Sequence, residues 1–208
     1  MQDILIQRIE DSPVSYGEVV DLLHLAFQDR LKEGLHYTCS DMSVEQYVDR
    51  TRNGVVLVAV NPETNALLGT SASHLEEDFR HRKYGEYEYL AIHPQSQSSG
   101  IASKLFQEHL RLMQAAGAEY ILSDTAVKAG SAVRHHRRCG FKIIGLRSFR
   151  STNYYSYLFR RQLVTDTFRQ KLYTSSLYCW LRFIPSCLRT RAFLKPDGTK
   201  TKLGKIFS

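Results

Sequence analysis

A run of six small or polar residues, 95–100, separates two apolar segments of the chain. The surrounding stretch, residues 92–106, is IHPQSQSSGIASKLF, in which a strand-like segment ends before the run and a helix-like segment begins at Gly100. The first turn of a helix has unpaired N–H groups and attracts anions. Small side chains let the backbone approach such an anion closely. Residues 97–102 therefore have the pattern of a diphosphate cradle, although an ordinary surface loop explains them equally well.

Two carboxylates just upstream, Glu86 and Glu88, have a spacing that suits acid–base chemistry. They lie in the strand-like segment EYEYLAIHP, residues 86–94, where a two-residue repeat predicts that Glu86, Glu88, Leu90 and Ile92 share one face. Two carboxylates on one face tend to raise the pKa of one of them, and a raised pKa suits a general base. The alternative is that both are solvated charges on an exposed strand.

The loop and its strand resemble the acyl-CoA motif of the GNAT acetyltransferases. In that motif, a strand with an aliphatic triplet precedes Arg/Gln-x-x-Gly-x-Gly/Ala and a helix. Gln97, Gly100 and Ala102 of YLAIHPQSQSSGIASKLF match the three defining positions. Ser98 stands where Gly is common and Ala102 replaces the second Gly, but both are small. AVRHHRRCGF, residues 132–141, resembles the second motif of the family, a short helix that ends in a Gly-Phe pair.

The resemblance implies acetyl-CoA as co-substrate and direct transfer of its acetyl group to a primary amine. It also implies that the pyrophosphate binds backbone amides of the loop and that the pantetheine arm pairs with the strand before it. The implied pyrophosphate site consists of Gln97, Ser98, Ser99, Gly100, Ile101 and Ala102. The implied pantetheine site consists of Leu90, Ala91 and Ile92.

The resemblance further implies the catalytic roles. The base of the family lies about four residues before the aliphatic triplet, which favours Glu86 first and Glu88 second. The acid of the family is commonly a Tyr four residues before the Gly-Phe pair, where this chain has His136. A histidine can donate a proton near neutral pH, but His136 can also simply pack. The alternative proton donors are Tyr154, Tyr155 and Tyr157.

The sequence gives no sign of a metal site. His135 and His136 are adjacent, and adjacent histidines cannot chelate a metal from one helix face. The four cysteines form no CxxC pair, so a zinc site is not expected and reduced, structural thiols are. The N-terminal residues 1–13 carry acids and lack a signal-peptide pattern, so a cytoplasmic protein is expected. No apolar run approaches the roughly 20 residues of a membrane-spanning helix.

The remaining patterns predict the elements that must position these residues. SYGE (15–18) and SVEQ (43–46) are capping boxes that predict two early helices. The predicted order is β-α-α-β-β-β-α-β-α-β-β, an α/β class with a mixed sheet and helices on both faces. This order agrees with the acyl-CoA N-acyltransferase fold that the resemblance implies. The first predicted strand is 4–9. The elements predicted after the two early helices are strands 54–60, 66–75, 86–94, 119–124, 141–149 and 154–163, and helices 100–116 and 131–139.

The positive charge is confined to the end of the chain. Residues 161–208 hold 10 of the 28 Lys and Arg and 2 of the 21 Asp and Glu, a net charge of +8 that leaves −1 for residues 1–160. We therefore predict a GNAT domain at 1–163 and a basic, partly amphipathic extension at 164–208. The extension packs on the core, on a second copy in a homodimer, or on a membrane surface. Because its basic residues are not clustered, no nucleic-acid partner is expected.

The identity of the acceptor is the least constrained prediction. Because the charge of the core is nearly balanced, we expect a small polar amine rather than a polyanion. The hydroxyl and amide groups of Ser151, Thr152 and Asn153, in the turn between the last two predicted strands, suit an amino sugar, although local turn hydrogen bonds explain them equally well. The alternative function is a non-catalytic acyl-CoA-binding or membrane-surface interaction module.

Overall fold

The computed structural model describes residues 4–149 and 152–164. In these residues, seven strands and four helices follow the predicted order, which confirms the predicted α/β class. The strands are β1 Leu5–Arg8, β2 Gly54–Val60, β3 Leu67–Glu77, β4 Lys83–Ile92, β5 Tyr120–Ala126, β6 Lys142–Ser148 and β7 Tyr155–Gln162. The helices are α1 Tyr16–Lys32, α2 Val44–Thr51, α3 Ile101–Ala115 and α4 Gly130–Arg138. Except for Val164, the predicted extension lies outside the described residues, and its three packing alternatives stay predictions.

The chain divides into two compact units, Met1–Ile121 and Leu122–Ser208. Within the first unit, the strand order is β1-β2-β3-β4. The first unit holds the antiparallel strands β1 to β4, and the second holds the antiparallel pair β6 and β7. The predicted boundary after residue 163 falls at the end of the described residues and stays a prediction.

The two predicted capping boxes form at the starts of α1 and α2. The Ser15 hydroxyl accepts a hydrogen bond from the Glu18 amide, and the Glu18 carboxylate accepts one from the Ser15 amide. Ser43 and Gln46 repeat this exchange at α2. Each box satisfies two N–H groups that a helix start otherwise leaves unpaired. The local sequence alone therefore fixes where both helices begin.

Helix α3 packs on one face of the first four strands. Its buried side chains recur at helical spacing, and they are Ile101, Leu105, Phe106, His109, Leu110 and Met113. We call the buried group Leu57, Ala59, Ile101 and Leu105 the α3 core cluster. Burial of one such leucine or isoleucine stabilises the fold by roughly 1.5–3 kcal/mol. The α3 core cluster therefore holds the start of α3 firmly against the strands.

The hairpin of β3 and β4 is longer than the sequence predicts. β3 continues to Glu77 and β4 begins at Lys83, in a charge-rich stretch that lacks strand alternation. Asp78 closes the turn, because its carboxylate accepts hydrogen bonds from the amides of Arg80 and Arg82 and from the Arg82 guanidinium. The cross-strand ladder and this turn outweigh the weak local preference for a strand.

In the second unit, α4 precedes the hairpin of β6 and β7. Gly140 ends α4 in a left-handed conformation (φ +80°), which glycine adopts without a Cβ penalty. The Val127 amide, just after β5, donates a hydrogen bond to the Tyr155 carbonyl of β7. Among the described residues, no helix is both long and apolar enough to cross a membrane.

Candidate active site

The predicted cradle is a backbone turn that leads into α3. A 3₁₀ turn at Pro94–Ser96 follows β4, and the Ser99 hydroxyl donates a hydrogen bond to the Ser96 carbonyl. Ser98 (φ +65°) and Gly100 (φ +84°) both have left-handed backbone conformations. Left-handed residues within a turn gather successive N–H groups into a concave nest that binds anions. The loop therefore has the backbone geometry that the prediction requires.

The N–H groups at the start of α3 are open to a ligand. Within the described part of the chain, those of residues 98–102 donate to no backbone acceptor, while the Gln97 amide lies 3.5 Å from the Pro94 carbonyl oxygen. A Cβ added at Gly100 would meet no heavy atom of the protein within 4 Å. The φ angle thus favours glycine there, and no protein atom crowds the space next to its Cα.

The charge at this helix end also favours an anion. The first turn of α3 carries no acidic side chain, so nothing within that turn opposes the partial positive charge of the helix N-terminus. The first turns of α1 and α2 contain Glu18 and Glu45, respectively. Of these three helix starts in the first unit, the α3 start is therefore the one suited to bind an external anion.

A β-bulge interrupts β4 just before the cradle. Ala72 pairs with Glu88 and Thr70 pairs with Ala91, so β4 has two residues between these pairs where β3 has one. One of the two, Tyr89, has a left-handed backbone conformation (φ +54°). An extra residue disrupts the ladder locally and reverses the alternation of side chains beyond it.

The prediction that Glu86, Glu88, Leu90 and Ile92 share one face is wrong because of this bulge. Leu90 and Ile92 pack against the α3 core cluster, whereas the bulge leaves the two glutamates on the other face. A strict two-residue repeat cannot anticipate an inserted residue. The implied pantetheine site, Leu90, Ala91 and Ile92, begins within the bulge, where ladder pairing is interrupted.

Glu86 and Glu88 lie beside a residue that the sequence analysis did not select, His74 of β3. His74 and Glu86 are a cross-strand pair, with His74 Nε2 3.3 Å from Glu86 Oε2. His74 Nδ1 lies 3.9 Å from Glu88 Oε2. We call these three residues the acid–histidine cluster. The side chains of His74, Glu86 and Glu88 are 22%, 36% and 35% exposed, so a substrate in water can reach all three.

The pKa of His74 is raised above its ordinary value. The hydrogen bond with Glu86 is the main cause, and the charges of Glu88, Glu86 and Glu76 add to it, while partial burial acts in the opposite direction. The imidazole therefore binds a proton more tightly than a free histidine does. A proton acceptor of this kind is better matched to an ammonium group than an isolated carboxylate is.

The signal that reveals His74 is the register of the hairpin. The Asp78 turn fixes how β3 and β4 pair, and this pairing places His74 opposite Glu86. Neither residue has a pattern in its own segment that points to the other. His74 and Glu86 lie at the ends of the predicted strands 66–75 and 86–94, so the pairing of the two residues depends on a register that neither segment encodes.

His136, the predicted proton donor, is packed inside the second unit. It is 4% exposed, and its ring stacks on Phe159 with the centroids 4.6 Å apart. Nδ1 donates to the Ala132 carbonyl at 2.8 Å, and Nε2 accepts from the Ser123 hydroxyl at 2.9 Å. Burial lowers its pKa, which holds the imidazole neutral. With both nitrogens engaged, this arrangement favours the packing alternative over proton donation.

The other polar candidates of the second unit have mixed surroundings. Tyr154 is buried, whereas Tyr155 and Tyr157 are partly exposed. The Thr152 hydroxyl lies 3.3 Å from two carbonyl oxygens of its own turn, which agrees with a role in local turn bonding. Ser151 lies outside the described residues.

With its site described, the chain can be assigned to a class: it belongs to the GNAT acetyltransferase family. The model of the acetyltransferase (GNAT) family matches residues 18–141, more than half of the 208 residues. The matched range contains β4, the cradle and α4. Membership confirms the predicted family and the predicted enzyme class, an acetyl-CoA-dependent acetyltransferase. No curated protein sequence matches the chain significantly.

Solved structures confirm the acyl-CoA N-acyltransferase fold. The chain is similar to a NatC complex bound to Gag peptide and CoA, with 15% identity, a TM-score of 0.61, and coverage of 78% of this chain and 99% of that one. It is also similar to a GNAT acetyltransferase from Brucella melitensis in complex with acetyl-CoA, with 19% identity, a TM-score of 0.56, and coverage of 80% and 92%. An IAA acetyltransferase from Bacillus cereus is similar as well, with 19% identity, a TM-score of 0.56, and coverage of 77% of this chain and 100% of that one.

Proposed function

We propose that the chain transfers the acetyl group of acetyl-CoA directly to a primary amine of a small polar acceptor. One observation carries the proposal: the acid–histidine cluster precedes the β4 bulge, and the open amides of residues 98–102 follow it. A group that removes a proton from an amine and a group that holds a diphosphate thus flank one short segment of backbone. Acyl transfer from a coenzyme to an amine needs both.

The cradle holds the coenzyme through its backbone. Backbone amides of residues 97–102 bind the pyrophosphate. The amide of Gln97 comes first along the chain, and the open N–H groups that follow belong to Ser98, Ser99, Gly100, Ile101 and Ala102. Backbone groups of Leu90, Ala91 and Ile92 pair with the pantetheine arm in the manner of an added strand. The bound coenzyme supplies an activated thioester. Two solved structures of the same fold that contain CoA or acetyl-CoA support this part of the proposal.

The acid–histidine cluster prepares the acceptor. A primary amine is mostly an ammonium ion near neutral pH, and it must lose a proton before its nitrogen can attack a thioester carbon. Glu86 and Glu88 are the candidates for this base, because both lie on the face of β4 opposite the α3 core cluster and both are partly exposed. Glu86 ranks first because it occupies the position where the family commonly has its base. His136 has no proton-transfer role in this scheme, since packing and hydrogen bonds engage its ring.

The charges around His74 favour a cationic acceptor. Three carboxylates, those of Glu76, Glu86 and Glu88, lie within 4 Å of the imidazole nitrogens. Their negative charge attracts an ammonium group more than a neutral or acidic substrate. Among small polar amines, we propose amino sugars as the first class to test. A cytoplasmic location stays a prediction.

The test is an acetyl-transfer assay with a panel of amines. Purified protein is incubated with acetyl-CoA and amino sugars, amino acids, aminoglycosides or a peptide with a free N-terminus, and released thiol is measured with a chromogenic disulfide. We expect thiol release that depends on the amine, together with an acetylated product detected by mass spectrometry. Acetyl-CoA binding in a calorimeter without thiol release on any amine would contradict the proposal.

A non-catalytic acyl-CoA-binding module is the second candidate. The packing of His136 favours it, because the position where the family commonly has its acid carries no accessible proton donor in this chain. The same assay separates the two candidates. A module binds the coenzyme and releases no thiol, whereas the enzyme does both.

A further inference from the structure

The register of the β3–β4 hairpin places His74 between two carboxylates. Each ring nitrogen approaches a different glutamate of β4, with Nε2 3.3 Å from Glu86 Oε2 and Nδ1 3.9 Å from Glu88 Oε2. The first distance permits a hydrogen bond, whereas the second permits only a charge contact. The imidazole is thus within hydrogen-bond distance of Glu86 and in charge contact with Glu88.

The groups that act on the charge of His74 come from two strands. Glu86 and Glu88 face it from β4, and Glu76, 3.8 Å from Nε2, belongs to β3 itself. These are the charged groups that influence its titration among the described residues. All three are acidic, so all of them favour the protonated imidazole. The imidazole therefore holds a proton that reaches it more tightly than an ordinary histidine does.

We propose that His74 is a positioning residue that acts through Glu86 and stores the proton that Glu86 removes from the acceptor ammonium. This inference rests on the proposed function and adds a residue to it. Nε2 lies 3.3 Å from Glu86 Oε2 and is the nitrogen placed to receive that proton, while the charge of Glu88 near Nδ1 stabilises the imidazolium that forms. The proton moves from the ammonium to Glu86 Oε2 and then to His74 Nε2, which leaves Glu86 ionised again.

The steps balance in atoms and charge. The neutral amine nitrogen attacks the thioester carbonyl carbon, a C–N bond forms, and the C–S bond breaks with its electron pair on sulfur. The sulfur takes up one proton that the nitrogen loses, and His74 later returns the stored proton to water. One ammonium and one acetyl thioester thus give one acetamide, one thiol and one proton.

The inference predicts a specific pH dependence. The free enzyme is active when the imidazole is neutral, so kcat/KM should rise with pH through a limb that lies above the ordinary histidine pKa of about 6.5. His74→Gln should lower kcat about tenfold to hundredfold and remove that limb, while the KM for acetyl-CoA stays within about twofold. Added imidazole should restore part of the activity of His74→Ala.

The matched control is a second histidine–carboxylate pair on the same hairpin. His81 contacts Glu77 but is 89% exposed, and it lies in the turn rather than beside Glu86. His81→Gln should leave kcat and the pH profile unchanged. A chelator should also have no effect, although the three donor atoms of the acid–histidine cluster lie within 4.8 Å of one another. Activity that a chelator abolishes and a divalent cation restores would overturn the inference in favour of a metal site.

The remaining outcomes separate this inference from the function on which it rests. Amine-dependent turnover in the native protein, with an unchanged kcat and pH limb in His74→Gln, overturns the role of His74 and leaves the acetyltransferase intact. Lower turnover with the same pH limb also overturns it, since a purely structural residue would behave in that way. Absence of turnover on every amine overturns the proposed function and the relay together.

Discussion

One histidine lies on each side of the β3–β4 hairpin, His109 of α3 on one side and His74 of β3 on the other, and the two have opposite properties. On the α3 face, His109 is 1% exposed, accepts from the Ser73 hydroxyl at Nδ1 (2.7 Å) and contacts Ser71 Oγ through Nε2 (3.0 Å). Burial lowers its pKa to about 4. On the opposite face, His74 is partly exposed, is surrounded by carboxylates and has a raised pKa.

The hydrogen-bond partners and the solvent contact of a histidine, rather than its residue type, decide whether it can exchange a proton. Neutral hydroxyls and full burial fix His109 in one neutral form, which serves packing. Carboxylates raise the pKa of His74 above its ordinary value, and solvent contact lets the imidazole exchange its proton. His136 belongs with His109, because its neighbours are also a hydroxyl, a carbonyl and an aromatic ring.

The largest effect is expected when the carboxylates on the His74 side of the hairpin lose their charge. We expect Glu86→Gln to lower kcat about 100-fold or more, because the amide keeps the shape of the side chain but cannot accept the proton. Glu88→Gln, its matched control on the same face, should lower kcat less. Steady-state kinetics measure both, with acetyl-CoA affinity as the check on folding. Equal, small effects in both variants would mean that the exposed face has no catalytic base.

Truncation of His109 should lower the free energy of unfolding more than truncation of His74 does. His109→Ala should lower the free energy of unfolding by about 3 kcal/mol, because it opens a cavity and leaves the Ser71 and Ser73 hydroxyls without their partner. His74→Ala should lower it by about 1 kcal/mol or less, since its side chain is partly in water. Urea denaturation at pH 7 gives both values. A His74→Ala variant that is the less stable of the two would contradict the assignment.

Lowering the pH should change the contributions of His109 and His74 to the free energy of unfolding in opposite directions. For His109, the folded pKa of about 4 lies below the unfolded value of about 6.5, so its contribution is complete above pH 6.5 and falls as pH drops toward 4, by at most about 3 kcal/mol. The raised pKa of His74 gives a contribution that is complete below about pH 6.5 and is lost as pH rises through the folded value. Denaturation from pH 4 to 8 in native protein and His109→Gln tests the first sign, which is wrong if the two curves stay parallel.

The smallest effect is expected at His136. His136→Phe keeps a ring to stack on Phe159 but leaves the Ser123 hydroxyl and the Ala132 carbonyl without this partner, which costs about 1–2 kcal/mol of stability. Turnover should stay within about threefold of the native value if the buried, doubly hydrogen-bonded imidazole serves packing. Thermal unfolding and the thiol assay measure the two effects. A large loss of turnover with normal stability would restore His136 as the proton donor.

Features that depend on local sequence were predictable. The capping boxes at Ser15 and Ser43, the α3 start at Gly100 and the left-handed end of α4 at Gly140 each follow from a few adjacent residues. The order of strands and helices also followed, because apolar periodicity changes clearly between segments. The turn and helix start at residues 97–102 were predictable for the same reason, since their atoms are backbone groups of six consecutive residues. That these groups bind a pyrophosphate stays a prediction.

Features that depend on pairing between distant segments were not predictable. The bulge at Tyr89 arises from the register of β3 against β4, and it moved Leu90 and Ile92 to the other face. His74 became a candidate only once that register placed it opposite Glu86. For His136, sequence position suggested chemistry, but the decisive fact was its surroundings, which no local pattern encodes.

The most direct test of the account is acetyl-CoA binding to a pair of matched glycine variants. Gly100 and Gly34 both have left-handed backbone conformations, with φ of +84° and +77°, and a Cβ at either would meet nothing within 4 Å. Aspartate therefore imposes a similar strain of about 1 kcal/mol at both, but only Gly100→Asp brings its charge to the cradle. We expect calorimetry to detect acetyl-CoA binding to the native protein and to Gly34→Asp, and none to Gly100→Asp. Equal affinity in all three proteins would contradict the cradle and the function built on it.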